Sequence, residues 1–312
     1  MEMDFASHQA QNDFSRARGR AVLKEIQHFM NADRNRLLSF NDVKDILKPK
    51  NEVYMGSQVV PIKLIVGSEG RYHDFNKYFL PKKEHLRYRW ERVDVAHIRD
   101  IILPPIQIYE IGGAYFVRDG NHRVSVAKMQ GVEFIDAVVT KLATEIKIKP
   151  SMTVDELREA LINYEKNIFY EKTGFGDLTG DLELNFSSPG RYDVIYNHIL
   201  VHKYYLNENI EEEILFSDAL VSWYNNVYNP VITIIREQKL LLNFEKRTEA
   251  DLYVWIIKHW DFLKKKYSAY SLADAAGDFS RKYGQSRGNI FRILARCFAS
   301  LLSGKIFNRK KT

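Results

Sequence analysis

The chain has 312 residues, 45% of them hydrophobic and 28% charged, which excludes a disordered chain and leaves room for one large domain or two ordinary ones. A single cysteine, Cys297, excludes an internal disulfide, a cysteine-built zinc site and a CxxC redox pair, and fits a reducing, cytoplasmic interior. The formal charge of +6 is uneven: residues 281–312 hold nine Lys or Arg and no acid, so the rest carries 37 basic groups against 40 acidic ones, a balance of −3.

The opening stretch MEMDFASHQAQNDF lacks the apolar segment of a signal peptide, and no run of 18 apolar residues predicts a transmembrane helix. Residues 5–48 read as helices: Ala21, Leu23 and Ile26 are expected on one buried face of the first, and Ser39 and Asn41 are candidate caps for a second carrying Val43, Ile46 and Leu47. From Gln58 to Leu142 the character changes. VVPIKLIV, PPIQIYEI, AYFV and FIDAVV are β-branched, apolar segments that predict strands, and a helix is expected to begin near Asn121 and stop at Gly131. After Pro150 the pattern is helical, opening with a Thr153/Glu156 capping box. Two further helices are expected on either side of Asn229-Pro230, another begins at Thr248, and a last one lies in the basic tail with an apolar stripe from Ile290 to Leu301. The strand signals divide the chain into a helical lead (1–57), a mixed-sheet domain (58–150) and a helical domain with a basic tail (151–312), an α+β class.

One stretch carries chemistry: YFVRDGNHRVSVAKMQG, residues 115–131. A helix N-terminus offers unpaired N–H groups and partial positive charge. Gly120 permits a sharp turn and a close approach, and His122 and Arg123 add donors, Arg123 with a two-point grip on phosphate oxygens. Together these predict an anion site, most simply for phosphate. Three roles are open to Asp119: orienting His122, holding a metal ion that bridges phosphates, or taking a proton from a hydroxyl. The plain alternative is that Asp119 caps the helix and the basic pair is solvated.

The segment LPPIQIYEIGGAYFVRDGNHRVSVAKMQGVEFIDAVV resembles the ParB N-terminal and sulfiredoxin-like superfamily, in which a proline-started strand, a hairpin, a DG-x-HR turn and a glycine-ended helix follow in this order. Upstream, VPIKLIVGSEGRYHDF is similar to that superfamily's other box. The resemblance covers residues 58–142. It implies a nucleotide site whose triphosphate lies at the turn-to-helix junction, with ATP or another nucleoside triphosphate and Mg²⁺ as ligands. Gly67, Ser68, Arg71, Gly120, Asn121, His122 and Arg123 are the implied phosphate contacts, and Asp119, Glu69 and His122 the implied catalytic groups. The superfamily includes a DNA-clamp CTPase, ATP-dependent sulfinic acid reductases and kinases of free serine. Sulfinic acid repair is excluded because Asn121 stands where those reductases carry their cysteine. Kinase or triphosphatase activity stays open. The rival reading is a non-catalytic DNA-binding regulator or partition-like protein, which the −3 charge of the body argues against. Nucleic acid or an anionic surface is expected to meet the chain first at its tail, 281–312.

Elsewhere the plainer reading is preferred. The GFGDLTGD segment is expected as a surface loop, His198 and His202 as packing between helices, and Trp223 and Tyr228 as core.

Overall fold

The structure, a computed structural model, describes residues 5–28, 33–208, 212–237 and 239–266. The tail, with Cys297 and the expected last helix, lies outside the described residues. The chain divides into two compact units, Met1–Leu161 and Ile162–Thr312. The strand signals end near residue 150, but the units part inside a helix that the capping box starts.

The first unit is built on a six-stranded mixed sheet: β1 (Leu38–Ser39), β2 (Glu52–Pro61), β3 (Ile65–Ser68), β4 (Ile106–Ile111), β5 (Ala114–Asp119) and β6 (Phe134–Leu142). The spatial order is β1-β3-β5-β4-β6-β2, with β3 and β5 parallel, β4 antiparallel to β5 and parallel to β6, and β2 antiparallel to β6. The expected continuous strand VVPIKLIV breaks at its proline. β2 starts earlier than expected and stops at Pro61, a short 3₁₀ turn covers Ile62–Leu64, and β3 resumes at Ile65. Side-chain alternation then feeds two cores. Ile106 and Ile108 of β4 and Val117 of β5 face one side; Ile111, Ala114 and Phe116 face the other.

The first core is closed by α1 (Phe5–Gln27), α3 (Arg87–Ile98) and α4 (Asn121–Met129). The buried face of α1 is Ala6, Ala10, Phe14, Ala17 and Ala21, while Leu23 and Ile26 are exposed. The expected face is thus corrected: at 100° per residue Leu23 lies on the opposite side of the helix from Ala21. Phe14 meets Trp90 edge-on at 5.6 Å. Trp90 Nε1 donates to Ser125 Oγ (2.8 Å), which donates to the Phe79 carbonyl (2.6 Å), so these two buried side chains between α3 and α4 are paired. Opposite, α2 (Phe40–Leu47) is capped by Ser39, whose hydroxyl accepts from the Asp42 N–H at 3.3 Å. The helical lead therefore belongs to the same compact unit as the sheet.

The long helix α5 (Val154–Thr173) begins with both bonds of its capping box: Thr153 N–H to Glu156 (2.8 Å) and Glu156 N–H to Thr153 Oγ1 (3.2 Å). In the second unit GFGDLTGD is not a loop but a short helix, α6 (Phe175–Thr179), between two left-handed glycines, Gly174 and Gly180. It is followed by α7 (Arg191–Asn207), α8 (Phe216–Trp223), α9 (Asn229–Glu237) and α10 (Glu249–Lys266). The expected break at Asn229-Pro230 does not occur. A π-helical turn, Tyr224–Tyr228, joins α8 to α9, and the Asn229 N–H reaches back to the Tyr224 carbonyl. Widening the ladder just before Pro230 lets the helix pass a residue that cannot donate. Trp223 and Tyr228 are buried core residues, and His202 Nε2 meets Ser222 at 3.0 Å, as packing between helices requires.

Candidate anion site at the start of α4

β5 ends at Asp119 and α4 begins at Asn121, with Gly120 alone between them. Gly120 has φ 102°, and a Cβ there would come within 2.5 Å of Ile106 Cγ2. The position needs glycine for backbone conformation and for packing on β4, whatever binds nearby. The first intrahelical bond runs from the Val124 N–H to the Gly120 carbonyl at 3.0 Å, so the amides of Asn121, His122 and Arg123 precede the ladder.

Of the residues expected at this site, the structure joins some and separates others. Gly67 is a packing glycine: a Cβ would meet Phe116 at 2.3 Å. Ser68 is fully buried, donating to the Val117 carbonyl and accepting from the Arg71 N–H, both at 3.2 Å. Its hydroxyl holds the loop after β3 instead of facing a ligand. Arg123 donates to Asp119 Oδ2 at 2.6 Å and to the Pro104 and Pro105 carbonyls, so both charges of that pair are engaged locally. Glu69 lies in the field of Lys44 and Tyr109.

Arg71 and His122 do come together. The half-exposed Arg71 guanidinium donates to Asp74 Oδ2 at 2.9 Å, and Lys83 reaches Asp74 Oδ1 at 3.0 Å. Burial pushes the Asp74 carboxyl up, but hydrogen bonds and charge from Arg71 and Lys83 outweigh it and hold the group below its usual range. Burial, then the charges of Arg89 and Arg71, pulls His122 from 6.5 to about 4; Asp74 opposes this and His85 adds to it. The imidazole is neutral at pH 7, 8% exposed and edge-on to Phe75 at 5.5 Å. His122 Nδ1 and Asn121 Oδ1 are buried without a hydrogen-bond partner among the described residues. Such atoms are costly and in native proteins are usually answered by water or ligand.

Sequence reasoning missed Arg89, His85 and Lys83. The signal was present in KKEHLRYR, residues 82–89, where His85 in the short 3₁₀ turn before α3 and Arg89 in its first turn stand four apart. Arg87 in the same run is committed elsewhere, to Glu84, Glu91 and the face of Phe14. The arrangement can hold an anion: a neutral imidazole at a helix N-terminus lies in the field of Arg89 and Arg71, and the carboxylates Asp74 and Asp119 are already paired with cations. It does not fit a resident divalent cation. Among the described residues no three His, Cys, Asp or Glu side chains gather as metal ligands, and the field at His122 is positive. No helix among the described residues is long and apolar enough to cross a membrane. No family model, curated protein or solved structure matches the chain.

Proposed function

We propose that the chain is a nucleotide-binding protein of the ParB N-terminal and sulfiredoxin-like kind, which takes the phosphates of a nucleoside triphosphate at the start of α4. The observation that carries this reading is the pair of buried, unpartnered polar atoms on Asn121 and His122, set beside Arg71 and Arg89. The order of strand, two-residue turn, strand, single-glycine junction and helix supports it, since the same order underlies the resemblance. Arg71, Arg89 and the α4 amides would grip phosphate oxygens. His122 would donate once an approaching anion restores its proton. Mg²⁺ enters this reading only as an ion carried by the nucleotide's own phosphates. Binding is favoured over catalysis because Asp119 is tied to Arg123 and Glu69 keeps separate company.

Calorimetry of the full chain with each of the four ribonucleoside triphosphates, paired with a phosphate-release assay, tests the proposal. At least one triphosphate binds. Arg71→Ala and Arg89→Ala each weaken it by about one to two decades, the value of a charge-assisted contact at roughly 1.5–3 kcal/mol, and Arg123→Ala weakens it less. Equal affinity for the wild type and both alanine variants removes the site.

A further inference from the structure

The first unit carries a second concavity, at the far end of α4 from His122. It is a groove of about 930 Å³ between α1, the turn after β2, and the α4–β6 connection. Its rim holds five cations, Arg20, Lys24, Lys63, Lys77 and Lys128, against one acid, Glu133. None of the five forms an ion pair among the described residues. Arg20 rests on Met129 Sδ at 3.5 Å, Lys24 reaches Gln27 at 3.1 Å, Lys77 donates to the Ser151 carbonyl at 2.9 Å, and Lys128 donates to the Ile65 carbonyl at 2.9 Å. Some other cations of this unit do find carboxylates: Lys44 finds Glu52, Lys82 finds Glu25 and Lys83 finds Asp74. Five cations facing one acid around one groove make it complementary to negative charge.

Between the cations the lining is apolar: Ile62 and Leu80 are buried at its base, and Leu23, Tyr78 and Phe134 are exposed at its edges. Leu23 and Phe134 thus offer apolar surface directly beside the cations. Lys128 is the most enclosed of the five. Burial pulls its ammonium from 10.5 to about 8, and one carbonyl and the face of Phe79, 4.8 Å away, are its partners. An ammonium with three donors and one oxygen acceptor retains hydrogen-bonding capacity. Volume and lining suit a single small molecule better than a polymer, because pockets of several hundred cubic ångströms take ligands of that size.

We propose that this groove binds an amphipathic small-molecule anion, a hydrophobic body ending in a carboxylate or phosphate, with the body on Leu23, Ile62 and Phe134 and the head among Lys24, Lys63 and Lys128. The site is independent of the nucleotide reading. The test is equilibrium binding to the full chain of dodecanoate and dodecyl phosphate below their micellar concentrations, with dodecanol, inorganic phosphate, oligodeoxythymidylate and anionic phospholipid vesicles as comparisons. One alkyl anion binds per chain, at least tenfold more tightly than dodecanol or inorganic phosphate. The double variant Lys24→Glu, Lys63→Glu loses at least tenfold in affinity with an unchanged melting temperature. Should that variant fold poorly, Lys63→Gln alone, at an exposed position, retains the same direction of effect at lower amplitude. Equal binding of dodecanol overturns the proposal, as does alkyl-anion affinity that survives charge reversal. So does preferential binding of vesicles or oligonucleotide, which would make the patch a macromolecular surface. Loss of triphosphate binding in Arg71→Ala with dodecanoate binding intact shows that the two sites are separate.

Discussion

His122 keeps a neutral imidazole beside Arg89 and Arg71, and that has a pH signature. Its folded value, about 4, lies below the ordinary 6.5. The unfolded chain therefore binds the extra proton between these values, and stability present above pH 6.5 is lost as pH falls toward 4, by about 3 kcal/mol at the outside. An anion at the site raises the folded value and relieves the loss. Sulfate, which does not titrate in this range, should bind more tightly as pH falls from 7 to 5, by up to about tenfold per unit. Calorimetry across that range checks it: His122→Asn flattens the slope, while His85→Asn, at an exposed neighbour, leaves most of it. Asp94 behaves in the opposite sense. It is fully buried, accepts from Gln130 at 2.8 Å, and is raised by burial from 3.8 to about 6. The folded state holds its proton more tightly, so its contribution is present below pH 3.8 and lost as pH rises through 6. Asp94→Asn keeps the acceptor and removes the charge; it should stabilise the chain at pH 7.5 by roughly 1–3 kcal/mol, with the gain disappearing below about pH 4 in denaturant titrations.

At the scale of elements, the β5–Gly120–α4 junction is the least tolerant place in the first unit. Gly120→Ala must both adopt φ 102° and push against Ile106. The expected cost is about 1–3 kcal/mol for the backbone and a similar amount for overpacking, measurable as a fall in the urea midpoint. This junction was legible in the sequence because an apolar run, a glycine and helical spacing meet within a few residues. The capping box at Thr153 and the helix start at Thr248 were legible for the same reason, being local; at the latter Thr248 and Asp251 exchange bonds of 3.0 and 3.1 Å. The continuous α8–α9 helix was not, because a π turn is a tertiary accommodation that leaves no spacing signal ahead of Pro230. Nor was the engagement of Arg123 with its own backbone surroundings. Arg123 is held by carbonyls of Pro104 and Pro105, residues whose approach depends on the register of β4 against β5. Arg89 and His85 were hidden by the opposite problem, since a basic run on a helix reads as solvated until the sheet shows what it faces.

For the whole molecule, charge is distributed by sequence segment. The body is slightly acidic and residues 281–312 carry nine cations without an acid. Non-specific affinity for a polyanion should therefore follow the tail. Reversing Arg309, Lys310 and Lys311 to Glu should move elution from heparin to lower salt and reduce the salt slope of any DNA binding, while triphosphate affinity stays within a factor of two. Unchanged elution in that variant would place polyanion affinity on the body, with the cationic groove beside α1 as its nearest source. Within the first unit, α4 spans from His122 at one end to Lys128 at the other, a rise of about 9 Å at 1.5 Å per residue. One rigid helix thus borders both proposed sites.

The glycine between β5 and α4 also bears on how relatives of this chain should be recognised. Its contacts are internal, with Ile106 and with the turn itself, so it would persist in a descendant that had lost every ligand. Among sequences sharing the Asp-Gly-x-His-Arg turn, the glycine testifies to shared architecture alone. Evidence for retained binding would come from the positions the architecture does not demand: an imidazole at 122, and basic side chains at 71 and 89 that vary together with it.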